Sequence, residues 1–159
     1  MSTESFTTFE LEGQMFGIDI RFVREINKQL ELSPVPHSPA YIRGLINLRG
    51  QIVTVMDLKK RLGFSHSEVT NETHNLIIKT DQERVNVNWN GSESSSFSLT
   101  DKVGLLVDKI GEVVTLPSSE LEGPPANIGK MDGKYLSGVI KLEDQLIAVL
   151  NLKQILSEA

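Results

Sequence analysis

The side chains that could perform acid–base, nucleophilic or metal chemistry are few in this chain and widely spaced. The three histidines, His37, His66 and His74, do not occur at metal-ligand spacing, and there is no cysteine. The sequence has no nucleophile elbow, no phosphate-binding loop and no dinucleotide-binding glycine motif. These features favour a binding protein over an enzyme, and they predict neither a metal site nor a cofactor.

Asp57 can be interpreted in two ways. It lies between Met56 and Leu58 and could be a buried catalytic carboxylate, or it could cap the first turn of a short helix that ends before Gly63. An internal repeat places Asn151 at the same position of a second copy. Asparagine caps a helix about as well as aspartate does, but it has no titratable proton. We therefore interpret Asp57 as an N-cap.

The elements that hold these residues are encoded twice. Residues 41–62 and 135–156 align without a gap at an offset of 94, and nine of the 22 positions are identical. A second pair, 17–26 and 104–113, aligns at an offset of 87. The duplication predicts two similar lobes within a single domain, 1–159. A lobe of this size is marginal alone, so the two should share a buried interface.

The first lobe is expected at approximately 14–78 and the second at approximately 103–156, with terminal segments that could cross between them. Alternating apolar residues predict short strands, tight turns and one short helix in each lobe. In both copies the alternation changes from a period of two to a period of three, near Ile20 and near Val107. This change predicts a bend that lets a short sheet curl toward a barrel.

Residues 79–102 form an insertion that has no counterpart in the repeat. Apolar residues alternate from Val85 to Trp89, and the dipeptide Asn90-Gly91 favours a type I′ turn. We interpret the insertion as a long hairpin. Trp89, the only tryptophan, either packs beneath its own hairpin or anchors a further partner, since tryptophan is enriched in binding hot spots.

The overall charge is acidic, with 16 basic and 21 acidic side chains and a formal net charge of −5. This balance argues against general binding to nucleic acid or to an anionic membrane. The basic run Lys59-Lys60-Arg61 is too short to change it, and we interpret the run as the solvated face of a helix. The chain lacks cysteine, a secretory signal and an apolar run of roughly 20 residues, which predicts a soluble, cytoplasmic protein.

The two copies differ most visibly at one predicted turn. Residues 47–50 read NLRG, whereas the corresponding residues 141–144 read KLED. Arg49 therefore has no equivalent, although Glu25 is matched by Glu112. An ion pair between Arg49 and Glu25 at the surface would add only about 0–1 kcal/mol of stability. Such a pair would either hold the guanidinium in place for a partner or be incidental.

A set of matching elements covers nearly the whole chain in a fixed order. The elements are GIDI at 17–20, VREI at 23–26, SPVPHSPAYIRG at 33–44, NLRG at 47–50, VGLLVDKIGEVV at 103–114 and YLSGVIKLEDQLIAVLNL at 135–152. This set resembles the CheW family of bacterial chemotaxis coupling proteins. The resemblance implies an all-β fold of two five-stranded, SH3-like β-barrel lobes, packed on a shared hydrophobic core, with short capped helices.

The resemblance also implies a non-catalytic adaptor. It would couple the cytoplasmic tips of methyl-accepting chemoreceptors to the regulatory domain of a histidine autokinase, CheA, and would be monomeric when free. It would be cytoplasmic and recruited to membrane receptor arrays through these partners. The resemblance implies a receptor contact around the segments that match the family's VREI and NLRG. The receptor-binding residues would be Val23, Glu25, Gly44, Asn47, Arg49 and Gly50. No residue is assigned to the kinase contact.

The chain departs from the family pattern in two places, and two alternative functions also have to be considered. Thr54 stands where the family commonly has proline, and the insertion at 79–102 is longer than the usual connection.

One alternative function is that of a related adaptor in another chemosensory pathway, such as pilus-driven motility. The other is a small hydrolase on paired barrels, which would require two or three carboxylates or histidines that face one cleft.

Overall fold

Strands dominate the computed structural model, which describes residues 2–64, 68–84, 101–125, 127–128 and 131–156. The strands in these ranges are β1 (Thr3–Leu11), β2 (Gln14–Asp19), β3 (Val23–Asn27), β4 (Ile42–Leu48), β5 (Gln51–Asp57), β6 (His74–Ile78), β7 (Val103–Val107), β8 (Lys109–Pro117), β9 (Asn127–Ile128), β10 (Met131–Asp132), β11 (Leu136–Lys141) and β12 (Leu146–Leu150). The helices are α1 (Leu58–Arg61) and α2 (Leu152–Leu156). Trp89 and the Asn90-Gly91 turn predicted beside it lie outside the described residues.

The strands form two five-stranded sheets. The first sheet has the order β3-β6-β7-β5-β4, and the second has the order β11-β12-β2-β1-β8. Strands β9 and β10 pair separately. The predicted all-β class, with two five-stranded lobes and short helices, is confirmed.

Each sheet combines strands from both halves of the chain. In the first sheet β7 lies parallel to β5, with Gly104 opposite Val55. In the second sheet β2 lies parallel to β12, with Gly17 opposite Val149. The valines are 94 residues apart and the glycines 87 apart. The two contacts are therefore equivalent, and the sheets are related by the duplication.

The chain passes between the sheets at the two predicted bends. A 3₁₀ turn at Ile20–Phe22 joins β2 to β3, and the carboxylate of Asp19 caps it by accepting a hydrogen bond from a backbone N–H two residues on, at 2.9 Å. In the second copy Asp108 alone separates β7 from β8. Because the chain changes sheets at these points, the sheet boundaries differ from the lobe boundaries 14–78 and 103–156. As folding units, the lobes stay a prediction.

The core has one shared cluster and one smaller cluster in each sheet. The shared cluster takes fully buried side chains from both sheets, including Phe9, Leu11, Ile18, Met56, Leu76 and Leu105. The first sheet adds a cluster around Val53, Val55 and Ile77, and the second adds one around Phe6 and Ile147. Burial of apolar area contributes roughly 25 cal/mol per Å², so the shared cluster couples the two sheets into one unit.

Arg61 is buried between the two copies. This contradicts the prediction that it lies on a solvated helix face. It donates hydrogen bonds to the hydroxyl of Tyr135 at 2.9 Å, to the carbonyl oxygen of Ile155 at 2.9 Å and to that of Gln154 at 3.1 Å. Its guanidinium carbon lies 5.1 Å from the ring centre of Tyr41 and 5.2 Å from that of Tyr135. The two tyrosines correspond at the offset of 94, so Arg61 joins equivalent points of the repeat.

Lys59 also contradicts the prediction of a solvated basic face, since only 8% of it is exposed. Its ammonium group lies 3.1 Å from a carboxylate oxygen of Glu12 and 3.3 Å from one of Asp108. Burial opposes the charged form, but the two carboxylates outweigh it and raise the pKa of Lys59. Of the basic run, only Lys60 is exposed. The prediction failed because α1 packs against segments distant in sequence.

Candidate functional site

The candidate site is built around the turn between β4 and β5, which we call the Arg49 turn (residues 48–51). Leu48 pairs with Gln51, so Arg49 and Gly50 alone make the turn. Both have positive φ angles, 51° and 85°, which is the backbone of a type I′ turn and matches the twist of the flanking strands. The side chain of Asn47 accepts a hydrogen bond from the Gly50 N–H at 2.8 Å. The NLRG sequence therefore fixes the turn through its own side chains.

An ion pair joins the Arg49 turn to the edge strand β3. The guanidinium of Arg49 donates a hydrogen bond to one carboxylate oxygen of Glu25, and the other oxygen accepts one from the Asn27 amide at 3.0 Å. The bond from Arg49 holds the pKa of the Glu25 carboxyl below its usual range, against the opposing effect of burial. The Arg49 side chain is 61% exposed, whereas that of Glu25 is 26% exposed. Glu25 thus positions a guanidinium that largely faces solvent.

A second ionic cluster lies on the neighbouring residue of β3. Arg24 Nε lies 3.0 Å from a carboxylate oxygen of Glu83, and Lys102 Nζ lies 3.9 Å from the other oxygen. The Thr80 N–H also donates to Glu83, at 3.0 Å. Burial opposes the charged carboxylate, but these donors and cations lower the pKa of Glu83. Glu83 therefore ties both ends of the insertion to β3, a contact that no local sequence signal indicated.

The six residues predicted for the receptor contact divide into two groups. Glu25, Asn47, Arg49 and Gly50 meet at the Arg49 turn, where Asn47 and Gly50 are exposed. The other two lie elsewhere, Val23 half-buried against the shared core and Gly44 buried in β4.

Gly44 has a structural requirement of its own. Its φ is 149°, and a Cβ added there would lie 2.5 Å from the carbonyl oxygen of Ser33. Ser33 exchanges two backbone hydrogen bonds with Leu45, at 2.9 and 2.8 Å. Only glycine leaves room for this close backbone approach. Gly138, its counterpart, meets the carbonyl oxygen of Glu122 in a similar way.

The corresponding turn of the second copy has a different geometry and a different charge. The Leu142 N–H donates to the Gln145 carbonyl oxygen at 2.9 Å. Glu143 and Asp144 between them do not have the positive φ angles of Arg49 and Gly50. Lys141, which replaces Asn47, lies 3.4 Å from a carboxylate oxygen of Glu122. The two turns therefore present unlike surfaces to their surroundings.

Asp57 is the N-cap of α1, as predicted. It is fully buried, and its carboxylate accepts a hydrogen bond from the Lys60 N–H at 3.3 Å. The guanidinium of Arg43 lies 3.4 Å from its second oxygen, a partner that the sequence reading missed. In the second copy Asn151 caps α2 in the same way, and Ser137 replaces Arg43. Both charges are thus lost together, which was a usable signal in the repeat.

A charged cleft of about 510 Å³ is the place where carboxylates converge. The cleft is lined by Glu10, Gly13, Lys59, Glu68, Thr70, Glu72, Asp108 and Lys109. Lys109 lies 3.9 Å from Glu10 and 3.5 Å from Glu72, and Lys59 pairs with Asp108. The carboxylates of Glu10, Glu72 and Asp108 are thus each paired with a lysine ammonium group. In the ranges that the structure covers, no group of three or more histidine, aspartate or glutamate side chains could hold a metal ion.

Three comparisons with known proteins show what the chain is similar to. A sequence model of the CheW-like domain family matches residues 5–159. The chemotaxis protein CheW of Treponema pallidum is 30% identical over 150 residues, which are 94% of this chain and 80% of that protein. The crystal structure of the scaffolding protein TtCheW from Thermoanaerobacter tengcongensis matches with a TM-score of 0.78 at 28% identity, over 98% of this chain and 88% of that one.

The chain also has a more distant relative, and its described helices are short. Protein FrzA of Myxococcus xanthus is 23% identical over 158 residues, which are 98% of this chain and 87% of that protein. Among the residues that the structure describes, no helix is long and apolar enough to cross a bilayer.

Proposed function

Because the chain belongs to the CheW-like domain family, we propose that it is a non-catalytic adaptor that couples chemoreceptor tips to a CheA-type histidine autokinase. The observation that carries the proposal is the family match along almost the whole chain, together with the unequal ends of the two sheets. An adaptor needs two different binding surfaces, and a duplicated fold whose copies have diverged supplies them.

The receptor contact is assigned to the Arg49 turn and the adjoining β3. Arg49 offers a planar group with several N–H donors, and Glu25 holds it at a defined position. A helical receptor hairpin would supply apolar contacts beside it. Ile52, next to the turn, is 59% exposed and gives such a contact its apolar surface. Val23, which is half-buried, and Gly44, which is buried, would contribute mainly by shaping β3 and β4.

Modest affinities suffice for this function. A micromolar contact corresponds to about −8 kcal/mol. In an array of receptors and kinases, linkage raises the overall avidity by about 10²- to 10⁴-fold. The chain would work in the cytoplasm, held at the membrane array by its partners, and would transmit the signal as a shift in the conformational population of the kinase.

The substitution Arg49→Glu tests the assignment. It should leave thermal stability nearly unchanged, because an exposed ion pair contributes only about 0–1 kcal/mol. It should lower receptor-dependent control of kinase activity at least tenfold, because the new carboxylate repels Glu25 and removes the donors. Kinase activity in reconstituted receptor arrays is the readout, with Lys60→Glu, on the exposed side of α1, as the matched charge control. Normal coupling by Arg49→Glu would show that Arg49 is not part of the contact.

Co-purification tests the adaptor function as a whole. The chain should bring down a soluble receptor fragment together with the kinase regulatory domain, and a mixture in which it bridges neither would contradict the proposal. A variant without residues 85–100 retains Glu83 and Lys102 and so keeps the ionic cluster on β3. Its binding would show whether the insertion, including Trp89, adds a contact of its own.

A related adaptor in another chemosensory pathway, such as pilus-driven motility, is the alternative. The match to FrzA is compatible with it, although the identity is lower than to the CheW proteins. The kinase that co-purifies from the native cell decides between the two pathways.

A further inference from the structure

Asn75 in β6 is a buried polar side chain without a partner. It is fully buried, and neither atom of its amide group forms a hydrogen bond with any residue that the structure describes. A Cβ placed on Gly104 of the adjacent β7 would overlap the Asn75 amide oxygen and would lie 3.1 Å from Ile77. The amide therefore lies close to the backbone of Gly104 inside the first sheet. A buried amide that lacks a hydrogen bond destabilises the structure that contains it.

The second sheet has no such weak point at the equivalent position. Asn27 of β3 lies opposite Asn75. Val114, the residue 87 positions after Asn27, lies opposite Phe6 in β1. Phe6 is only 2% exposed and belongs to the apolar cluster of the second sheet. The duplication thus places a well-packed phenyl ring in one sheet and an unpaired amide in the other.

The strand ladder is also shorter at this place. The pairing of β3 with β6 comprises four registered pairs and ends at Asn27 and Asn75, and both this ladder and that of β1 with β8 contain one register shift. The equivalent pairing of β1 with β8 comprises seven pairs and continues to Thr3 opposite Pro117. Among the described residues, strand β3 lies at the edge of its sheet and pairs with β6 alone.

We propose that the β3–β6 edge is a built-in point of local opening, at which β3 separates from β6 far more often than β8 separates from β1. The unpaired Asn75 amide and the short β3–β6 ladder both favour opening, because local opening is easiest where buried contacts and hydrogen bonds are fewest. Opening of β3 displaces Arg24 and Glu25 and so releases Arg49 from its ion pair. A partner that binds the closed Arg49 turn would suppress the opening, a consequence that rests on the proposed function, whereas the opening itself does not.

Native-state hydrogen exchange of the free chain tests the opening, with Asn75→Leu as the variant. Leucine branches at the same carbon as asparagine and has no polar atoms to satisfy, although its methyl groups are bulkier than the amide. Exchange of the β3 and β6 amides should slow at least tenfold, equivalent to about 1.4 kcal/mol, while the β1 and β8 amides keep their rates. Unchanged rates in β3 and β6, or equal slowing in both sheets, would overturn the proposal.

Two further variants keep the test decisive. Asn75→Val serves if leucine does not fit, and failure of both variants to fold would show that the amide supports the sheet, against the proposal. Phe6→Asn moves an amide to the equivalent place and should accelerate exchange in β1 and β8 more than in β3 and β6. Added receptor fragment should slow exchange in β3. Absence of that effect alone would count against the proposed receptor contact and not against the opening.

Discussion

At the scale of single residues, Arg43 and Asp57 show how the repeat adjusts charge inside the fold. Asp57 is fully buried and Arg43 is its ionic partner, whereas the second copy has Ser137 and Asn151 at the same places. A buried carboxylate is costly without a cation, but a neutral amide needs none. The two copies therefore represent two self-consistent solutions of the same helix cap.

This pairing predicts a non-additive mutant cycle. Arg43→Ser should destabilise the protein by about 1–3 kcal/mol, because it leaves the Asp57 charge without its cation. Arg43→Ser combined with Asp57→Asn reproduces the pair of the second copy and should recover most of that loss. Urea unfolding of both variants and of Asp57→Asn gives the coupling energy. Simple addition of the two single effects would show that the residues do not act as a pair.

At the scale of elements, the β4–β5 hairpin separates residues that shape the structure from residues that contact solvent. Gly44 lies within β4, where the backbone of Ser33 approaches it closely. Gly50 has a positive φ but open space around it. Proximity in sequence to the NLRG turn therefore does not give the two glycines the same role.

Substitution of the two glycines should affect stability to different extents. Gly44→Ala should destabilise the fold by about 1–3 kcal/mol, because alanine is strained at a φ of 149° and its Cβ meets the Ser33 carbonyl. Gly50→Asn should change stability by less than about 0.5 kcal/mol, since asparagine tolerates positive φ and nothing blocks it. Thermal unfolding measures both. Equal stability of the Gly44→Ala variant would mean that β4 can move away from Ser33.

At the scale of the whole molecule, the two halves are joined by the shared apolar core and by Arg61. Arg61 belongs to α1, yet its hydrogen-bond acceptors, Tyr135, Gln154 and Ile155, belong to the second copy. Its own counterpart in the repeat is Ile155. A single arginine thus contacts both copies, and the second copy has an apolar residue in its place.

Removing this connection should weaken the whole molecule together. Arg61→Met retains apolar volume but leaves buried acceptors without donors, at a cost of about 1–3 kcal/mol. Unfolding should stay a single transition, because the shared core still couples the sheets. Lys60→Met, at the exposed neighbour, should change stability by less than about 0.5 kcal/mol. Two separate transitions in Arg61→Met would show that Arg61, and not the core, makes the halves cooperative.

Much of the local structure could be predicted because its causes are local. The alternation of apolar residues predicted the strands, Arg49-Gly50 predicted a two-residue turn, and the swap of Asp57 for Asn151 predicted a cap. The duplication also predicted two lobes on one core. The ion pair of Arg49 with Glu25 was foreseen as a possibility, and its value for receptor binding stays a prediction.

The sequence by itself therefore determined the strands, the turns, the repeat and the family, since each depends on neighbouring residues or on comparison of the two copies. Tertiary structure alone decided that β2 and β7 exchange sheets, that Lys59 and Arg61 are buried, and that the Asn75 amide has no hydrogen-bond partner among the described residues. These properties depend on which distant segments pack together. A lysine or arginine is the same residue in the sequence whether its side chain faces water or a carboxylate. Only the packing of the chain determines which of the two it contacts.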